Sequence, residues 1–517
     1  MKIMAGVSIW QGTVILMVAS LLNRILSFGY RMLVVRYIGA EGMGLYEMVF
    51  PFYSLVLMVT TAGIPVALAK LTAERIALAR WGQVRSVFRL SLIFLTLSGL
   101  LAALVLWRLA PFLTGRMFAD TRVYQAFVVM ILALPVVCIC SAFRGYFQGW
   151  QLMRPVALAQ VVEQVVRVSA GFFLGIYLLP YGVAMAAAGL AAGMVLGELA
   201  GLGISVFIFN LARPYYDIAA DQTGSLKADI LPLARLAIPV MLARMAGGIM
   251  LTIEALLIPR QLQAWGVTMR EATTIYGQYA GIAFTLIYLP MVITVALAMT
   301  MVPAISEARA VGDCDLLNKR CRQSLKMTIY SSLPFAITFY LFAAPICRLI
   351  FATPEAGIPL KILAWGSIFI YLEQTTVGIL NGLGSMSTIL WTTVAGGIVD
   401  LLGIYYLTPV LGIAGAALGV NLGTAVTATL NLLALVRQTG FHLDFRTFVY
   451  WPAVAGAGMF LGASLLWRLL VATPEPWRLF QALAGSSLFY LLILLVAGEI
   501  SPGHFYLFPW PGQRNDK

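Results

Sequence analysis

Three arginines interrupt long apolar runs: Arg24, Arg31 and Arg244. An arginine stays protonated, and its planar fork grips phosphate oxygens in pairs, so arginines in such places suit an anionic head group. A central charge costs about 2.5–3.5 kcal/mol on insertion scales, and residues that bear it face a cavity or a partner. Arg24 and Arg31 stand seven residues apart, two helical turns, and therefore share a helix face. The three together can line one positively charged, substrate-binding cavity; the alternative is that each snorkels or pairs with an acid such as Glu47 or Glu254. Glu163 and Arg167 have the i, i+4 spacing of a structural ion pair on one helix. Glu254, Glu373 and Asp400, with Glu198, are isolated acids in or near apolar runs, fit either for coupling to Na⁺ or H⁺ or for a structural part.

Nothing in the sequence points to covalent chemistry. The only histidines are His442 and His504, and the five cysteines lack disulfide or metal spacing, so the expectation is no catalytic residue, no metal and no cofactor. Hydrophobic residues form 61% of the chain and charged residues 11%, with a mean hydropathy of +0.91. A soluble domain is about 45–50% apolar and 25% charged. This chain therefore belongs in a bilayer. Its net charge of +13 reports topology and contact with anionic lipid heads, since no basic run with interleaved aromatics suggests nucleic acid.

The elements that must hold these charges are transmembrane helices, each needing about 20 apolar residues. Fourteen such spans are predicted, near 10–35, 44–69, 87–110, 124–147, 155–179, 182–209, 231–259, 274–303, 325–347, 360–382, 387–407, 411–436, 447–471 and 478–498. With the N-terminus placed inside, 20 of the 34 basic residues fall on the cytoplasmic side and 10 outside. Lys2, Arg144, Arg514 and Lys517 are among the 20, and the bias predicts both termini in the cytoplasm. The densest basic connections, 70–89 and 309–326, read as amphipathic helices on that surface.

Gly182–Gly193 (GVAMAAAGLAAG) returns as Gly412–Gly423 (GIAGAALGVNLG), 230 positions later. The repeat opens the sixth span of each of two six-span sets and predicts an internal duplication. It divides the chain into an N-terminal lobe over 1–212, a C-terminal lobe over 213–440 and an added pair of spans with a tail over 441–517. Gly189, Gly193, Gly197 and Gly201, like Gly415, Gly419 and Gly423, recur every fourth residue and strip one helix face for close packing.

The stretch NRILSFGYRMLVVRYIGAEGMGLYEMVFPFYSLVLMVTTAGIPVALAKLTAE (23–74), with FRGYFQGWQLMRP (143–155) and QVVEQVVRVSAG (160–171), resembles the stage V sporulation protein B group of polysaccharide exporters. That group lies within the multidrug/oligosaccharidyl-lipid/polysaccharide (MOP) superfamily. The resemblance runs over nearly the whole chain. It implies an all-α membrane protein of about 14 helices, two six-helix lobes in a V around a central cavity, and two C-terminal helices. It also implies a monomeric flippase of the bacterial cytoplasmic membrane, moving a lipid-linked oligosaccharide such as an undecaprenyl-pyrophosphate peptidoglycan precursor by alternating access. Roles in cell-wall or spore-cortex synthesis, and partners among membrane lipids and the cell-wall synthesis machinery, follow from the same likeness. The related lipid II flippases carry Arg-x-x-Gly-Phe-x-Arg-Asp in the first helix. Here Arg24 matches the first Arg, Ser27 replaces Gly, Tyr30 replaces the second Arg, and Arg31 stands at the Asp.

Three other readings compete. A cation-coupled multidrug exporter would share the fold, with twelve spans and acids or aromatics in its cavity. A membrane-embedded glycosyltransferase would need a large outer loop or clustered acids at one face, and neither is visible. A non-transporting scaffold for envelope assembly fits the sequence as well.

Overall fold

The computed structural model describes residues 9–217, 226–441 and 444–499. Both chain ends, with Lys2, Arg514, Lys517 and His504, and also His442, lie outside the described residues. The fold is all-α, with no strand among the described residues. The first set of helices comprises α1 (Ile9–Tyr37), α2 (Ala40–Thr61), α3 (Ile64–Ala77), α4 (Trp81–Arg116), α5 (Tyr124–Gly149), α6 (Met153–Leu178) and α7 (Val183–Asp217). After these come α8 (Leu226–Ala264), α9 (Met269–Tyr276), α10 (Phe284–Ile287), α11 (Met291–Val311), α12 (Cys314–Leu341) and α13 (Ala343–Phe351). The last are α14 (Gly357–Gly382), α15 (Met386–Leu411), α16 (Ile413–Thr439), α17 (Trp451–Leu469) and α18 (Glu475–Val496). Among the described residues, thirteen helical runs are long and apolar enough to cross a membrane, or fourteen when α12 and α13, bent by 83°, count as one span. The chain is a multi-pass membrane protein.

Three expected segments differ. The segments 70–89 and 309–326 are not separate surface helices. Lys70–Ala77 ends α3 and Trp81–Arg89 begins α4, while α11 runs to Val311 and α12 starts at Cys314. Each reversal needs only two or three residues because one adopts positive φ, Ala79 at 55° and Gly312 at 74°. Asp313 then caps α12 by accepting from the Leu316 N–H at 2.8 Å. The eighth span, predicted as one helix over 274–303, is broken. It consists of α9, a π-helical turn at Gly277–Ala283, the four-residue α10, a turn and α11. Pro290, which lacks an N–H and crowds the preceding turn, accounts for the interruption before α11.

Packing divides the chain into two compact units. The first runs to Gly281 and takes in Thr408–Gly412; the second holds Ile282–Leu407 and the chain from Ile413 onward. A core of the first unit gathers Leu68 and Leu71 of α3, Val87 and Phe88 of α4, Tyr146 of α5, and Leu233 and Ala237 of α8. In the second, Ile305, Leu325, Ile379 and Leu435 join α11, α12, α14 and α16, while Tyr330, Met459 and Tyr490 join α12 to α17 and α18. Contact thus groups α8 with the first set, whereas the repeat counts it in the second.

The duplication is visible in the contacts themselves. Gly189 of α7 lies against the Leu174 backbone of α6, and Gly419 of α16 against Ile404 of α15, with both partners shifted by 230. A second register, 233, relates Gly145 and Gly149 on Pro65, Ala69 and Thr72 to Gly378 and Gly382 on Ala298, Val302 and Ile305. At Gly193 an added Cβ would sit 2.1 Å from the Gly171 Cα. Only glycine permits that approach.

Candidate functional site: charges within the spans

Of the three arginines, two are free and one is engaged. Arg24 on α1 and Arg244 on α8 are exposed, and neither makes a hydrogen bond or ion pair among the described residues. Beside Arg24, the Ser27 hydroxyl donates to the Asn23 carbonyl at 2.7 Å and accepts from Gln164 Nε2 of α6 at 3.1 Å. That bond ties the Arg24 turn of α1 to α6. Arg31, on the same helix, is committed instead: its Nη2 lies 2.8 Å from Glu47 Oε1 of α2, and its Nη1 reaches the Ala280 carbonyl at 3.5 Å. Arg31 therefore takes the ion-paired alternative left open by its spacing.

Glu163 and Arg167 lie within a larger assembly. Arg167 Nη2 stands 2.6 Å from Glu163 Oε1 and 2.7 Å from Glu198 Oε1. Arg144 of α5 pairs with Glu163 and lies 3.6 Å from Glu198 Oε2. Two positive and two negative groups from α5, α6 and α7 thus form a neutral quartet, its acids buried and its arginines half-buried. Arg144, counted above among the cytoplasmic charges, is half-buried and paired across helices. A signal for Glu198 was present in the sequence: it sits between Gly197 and Gly201, whose close approach to Glu163 and Arg167 turns that part of α7 toward α6. Helical spacing along one chain segment carries no information about Arg144.

The isolated acids fall in different places. Glu254 is half-buried on α8, two residues beyond Thr252, whose hydroxyl donates to the carbonyls of Gly248 and Pro51. In the second unit, Glu373 is half-buried on α14 and Asp400 is buried on α15, near enough for each to feel the other's charge. The Asp400 Cβ lies against Gly423 of α16. Among the described residues no group of three or more His, Cys, Asp or Glu is placed to hold a metal ion.

A further charge cluster, unmarked in the sequence, joins α2, the α4–α5 connection and α9. Arg122 Nη1 lies 2.6 Å from Glu41 Oε1 and its Nη2 2.7 Å from Asp120 Oδ2. Arg270 Nε lies 2.9 Å from Glu41, and the Thr273 hydroxyl donates to Asp120 Oδ2 at 2.7 Å. Burial pushes the Asp120 carboxyl up, but the Arg122 and Thr273 hydrogen bonds outweigh it and hold the carboxyl below the usual range.

The second unit also carries an open groove of about 700 Å³ between α12, α14 and α17. Leu333, Ile337, Leu372, Phe448, Pro452 and Phe460 are among its walls, and every lining residue is apolar. Such a groove has no means of holding a charged or hydrogen-bonding ligand; it suits a hydrocarbon chain.

Residues 9–309 match the polysaccharide biosynthesis protein family, and residues 279–406 match MatE. The chain is similar to stage V sporulation protein B of Bacillus subtilis (strain 168), with 29% identity across 95% of this chain and 96% of that one. It is also similar to the lipid II flippase MurJ of the same organism, at 25% identity over 83% of each. Among solved structures, lipid II flippase MurJ in an inward closed conformation matches with a TM-score of 0.72. That match has 14% identity and covers 94% of this chain and 99% of the other, a likeness of fold.

Proposed function

Because the chain belongs to the polysaccharide biosynthesis protein family, within the MOP superfamily, we propose that it is a flippase for a lipid-linked saccharide, its phosphate-bearing head group held by Arg24 and Arg244. The carrying observation is that these two permanent charges sit on membrane-spanning helices, exposed and without an internal partner among the described residues. Each costs about 2.5–3.5 kcal/mol to place there, and an anionic ligand offsets that cost whenever it binds. Arginine suits the task further because it stays charged throughout the cycle and makes paired bonds to phosphate oxygens. The groove between α12, α14 and α17 has the all-apolar composition that a polyprenyl tail tolerates. A peptidoglycan or related polysaccharide precursor is the proposed cargo, moved across the cytoplasmic membrane by alternating access and coupled to Na⁺, H⁺ or the membrane potential.

The MatE match over 279–406 favours a second reading, a cation-coupled drug exporter. Such an exporter needs acids free to receive a cationic substrate. Glu47, Glu163 and Glu198 in the first unit are already neutralised by arginines, which weighs against it.

The test is a flipping assay in sealed vesicles with polyprenyl-pyrophosphate-linked sugars. Arg24→Ala and Arg244→Ala, expressed at normal levels, are expected to slow translocation about tenfold or more, the loss of a charge-assisted phosphate contact. Wild-type rates in both variants, or export of cationic dyes with no movement of any lipid donor, would refute the proposal.

A further inference from the structure

We propose that α8 and α9, which the internal repeat assigns to the second half, travel with the first half as one body, and that the chain flexes between Ala280 and Ile287. This deepens the transport reading above and rests on it for its functional meaning.

Helix α8 is fastened to α2 and α3 along its length. Asp229 pairs with Arg75 at 2.5 Å, and an added Cβ on Gly63 would lie 2.5 Å from the Ala237 carbonyl. Further along, Gly248 packs on Met58 and the Thr252 hydroxyl donates to the Pro51 carbonyl at 3.2 Å. Leu233 and Ala237 share one buried core with α3, α4 and α5. The far end is equally tied, since Gln263 Nε2 donates to the Ala119 carbonyl at 3.1 Å and Glu41 bridges Arg122 and Arg270. Beside that bridge, Gly44 touches the Thr273 backbone and Gly277 touches the Ala40 backbone, closer than any side chain allows. The Arg75 and Asp229 side chains are only 10% and 5% exposed. Peeling α8 away would strand the Asp229 carboxylate and leave Arg75 with only the Gln83 carbonyl, at 2.7 Å.

The irregular backbone begins where this fastening ends. Gly277–Ala283 is π-helical, α10 has four residues, and a turn precedes Pro290. A π turn followed by a proline break is a place where a helix absorbs φ/ψ change. Each side of the stretch has its own anchor. Arg31, held by Glu47, reaches the Ala280 carbonyl within the first unit. Within the second, the Tyr371 hydroxyl of α14 donates to the Ile287 carbonyl at 2.7 Å. One other contact belongs to the first body. At the Gly412 turn, with φ +62°, an added Cβ would sit 3.0 Å from three atoms of the Trp265 indole, whereas at its repeat counterpart Gly182 it would meet open space.

The experiment joins α3 to α8 covalently. In a Cys314→Ser background, which removes the exposed native thiol while the other four stay buried, Arg75→Cys with Asp229→Cys is bridged by a short cleavable bifunctional thiol reagent. Glu41→Cys with Arg270→Cys is a second pair, in case the buried substitutions impair folding. Flipping of a polyprenyl-pyrophosphate-linked sugar is expected to stay within about twofold of the unbridged protein. A loss of about tenfold or more, restored on cleaving the bridge, overturns the inference. Spin labels at Arg80 and Leu231, both exposed, give a readout that needs no transport. One narrow distance with and without the lipid donor supports the single body; two populations overturn it. If unbridged protein moves no lipid while that distance stays single, the flippase reading fails and the mechanical one stands.

Discussion

Removing Arg167 from the quartet should destabilise the first unit far more than removing Arg167 and Glu198 together. Arg167 is the common partner of Glu163 and Glu198, at 2.6 and 2.7 Å. Those acids are 10% and 7% exposed, so water screens them little. In Arg167→Met, two carboxylates share Arg144 alone, and the site carries an uncompensated negative charge. Breaking a buried pair in this way costs about 3–5 kcal/mol. In Arg167→Met with Glu198→Met, one charge of each sign is gone, Arg144 and Glu163 remain paired, and methionine fills most of the volume. Replacing a buried pair by apolar groups is often close to neutral, so the double variant should recover about 2 kcal/mol or more. Thermal unfolding of wild type, both single variants and the double variant, in one detergent at one scan rate, forms a double-mutant cycle. A fall of roughly 5 °C in Arg167→Met, with most of it regained in the double variant, is expected. Additive losses, or an Arg167→Met protein as stable as wild type, would show that the four groups do not act as a unit.

Two further outcomes follow from the geometry. Gly193→Ala should destabilise by about 1–3 kcal/mol, because its Cβ would meet the Gly171 Cα at 2.1 Å. Gly203→Ala, on the same helix with nothing within 4 Å, should be neutral or stabilising by about 0.5–1 kcal/mol; equal effects at both sites would refute the packing account. Asp120 should contribute acid-sensitive stability. Its carboxyl is held below the usual range, so its contribution is full above the unfolded Asp value of about 3.9 and fades as pH falls through the lower folded value. The stability gap between wild type and Asp120→Asn should therefore be constant from pH 7 to about 5 and close in stronger acid; a gap unchanged at pH 3 would contradict this.

The sequence disclosed what depends on local pattern. Apolar run length located the spans, and the recurrent glycines marked the bare faces that the structure packs on α6 and α15, since small-residue stripes report a helix's own face. It disclosed less wherever the partner lies on another helix. Arg24, Arg31 and Arg244 are alike as residues in apolar runs, yet among the described residues only Arg31 forms an ion pair with an acid, and that acid lies on α2. Spacing on α1 put Arg31 on the Arg24 face but could not say what α2 presents to it. Arg144 was hidden for the same reason, its partners being on α6 and α7. Reversals at Ala79 and Gly312 were missed because charged amphipathic stretches look alike whether they lie on a surface or end a span.

The duplication explains the frame and leaves the chemistry to the residues that break it. Under the 230 register, the glycine contacts of α6–α7 recur in α15–α16. The positions of Glu163, Arg167 and Glu198 become Thr393, Gly397 and Ala428, so no counterpart of the quartet is encoded in the second half. Conversely, Asp400 stands where the first half has Ala170. Backbone packing through glycine tolerates no side chain at the contact, so both copies must keep it to keep their helices together. Charged positions beside that contact are under no such constraint, and a change in one copy leaves the other's packing intact. The two halves have therefore diverged in charge while agreeing in shape. A neutral quartet on one side ties three helices to one another. The acids of α14 and α15 are left to the other side.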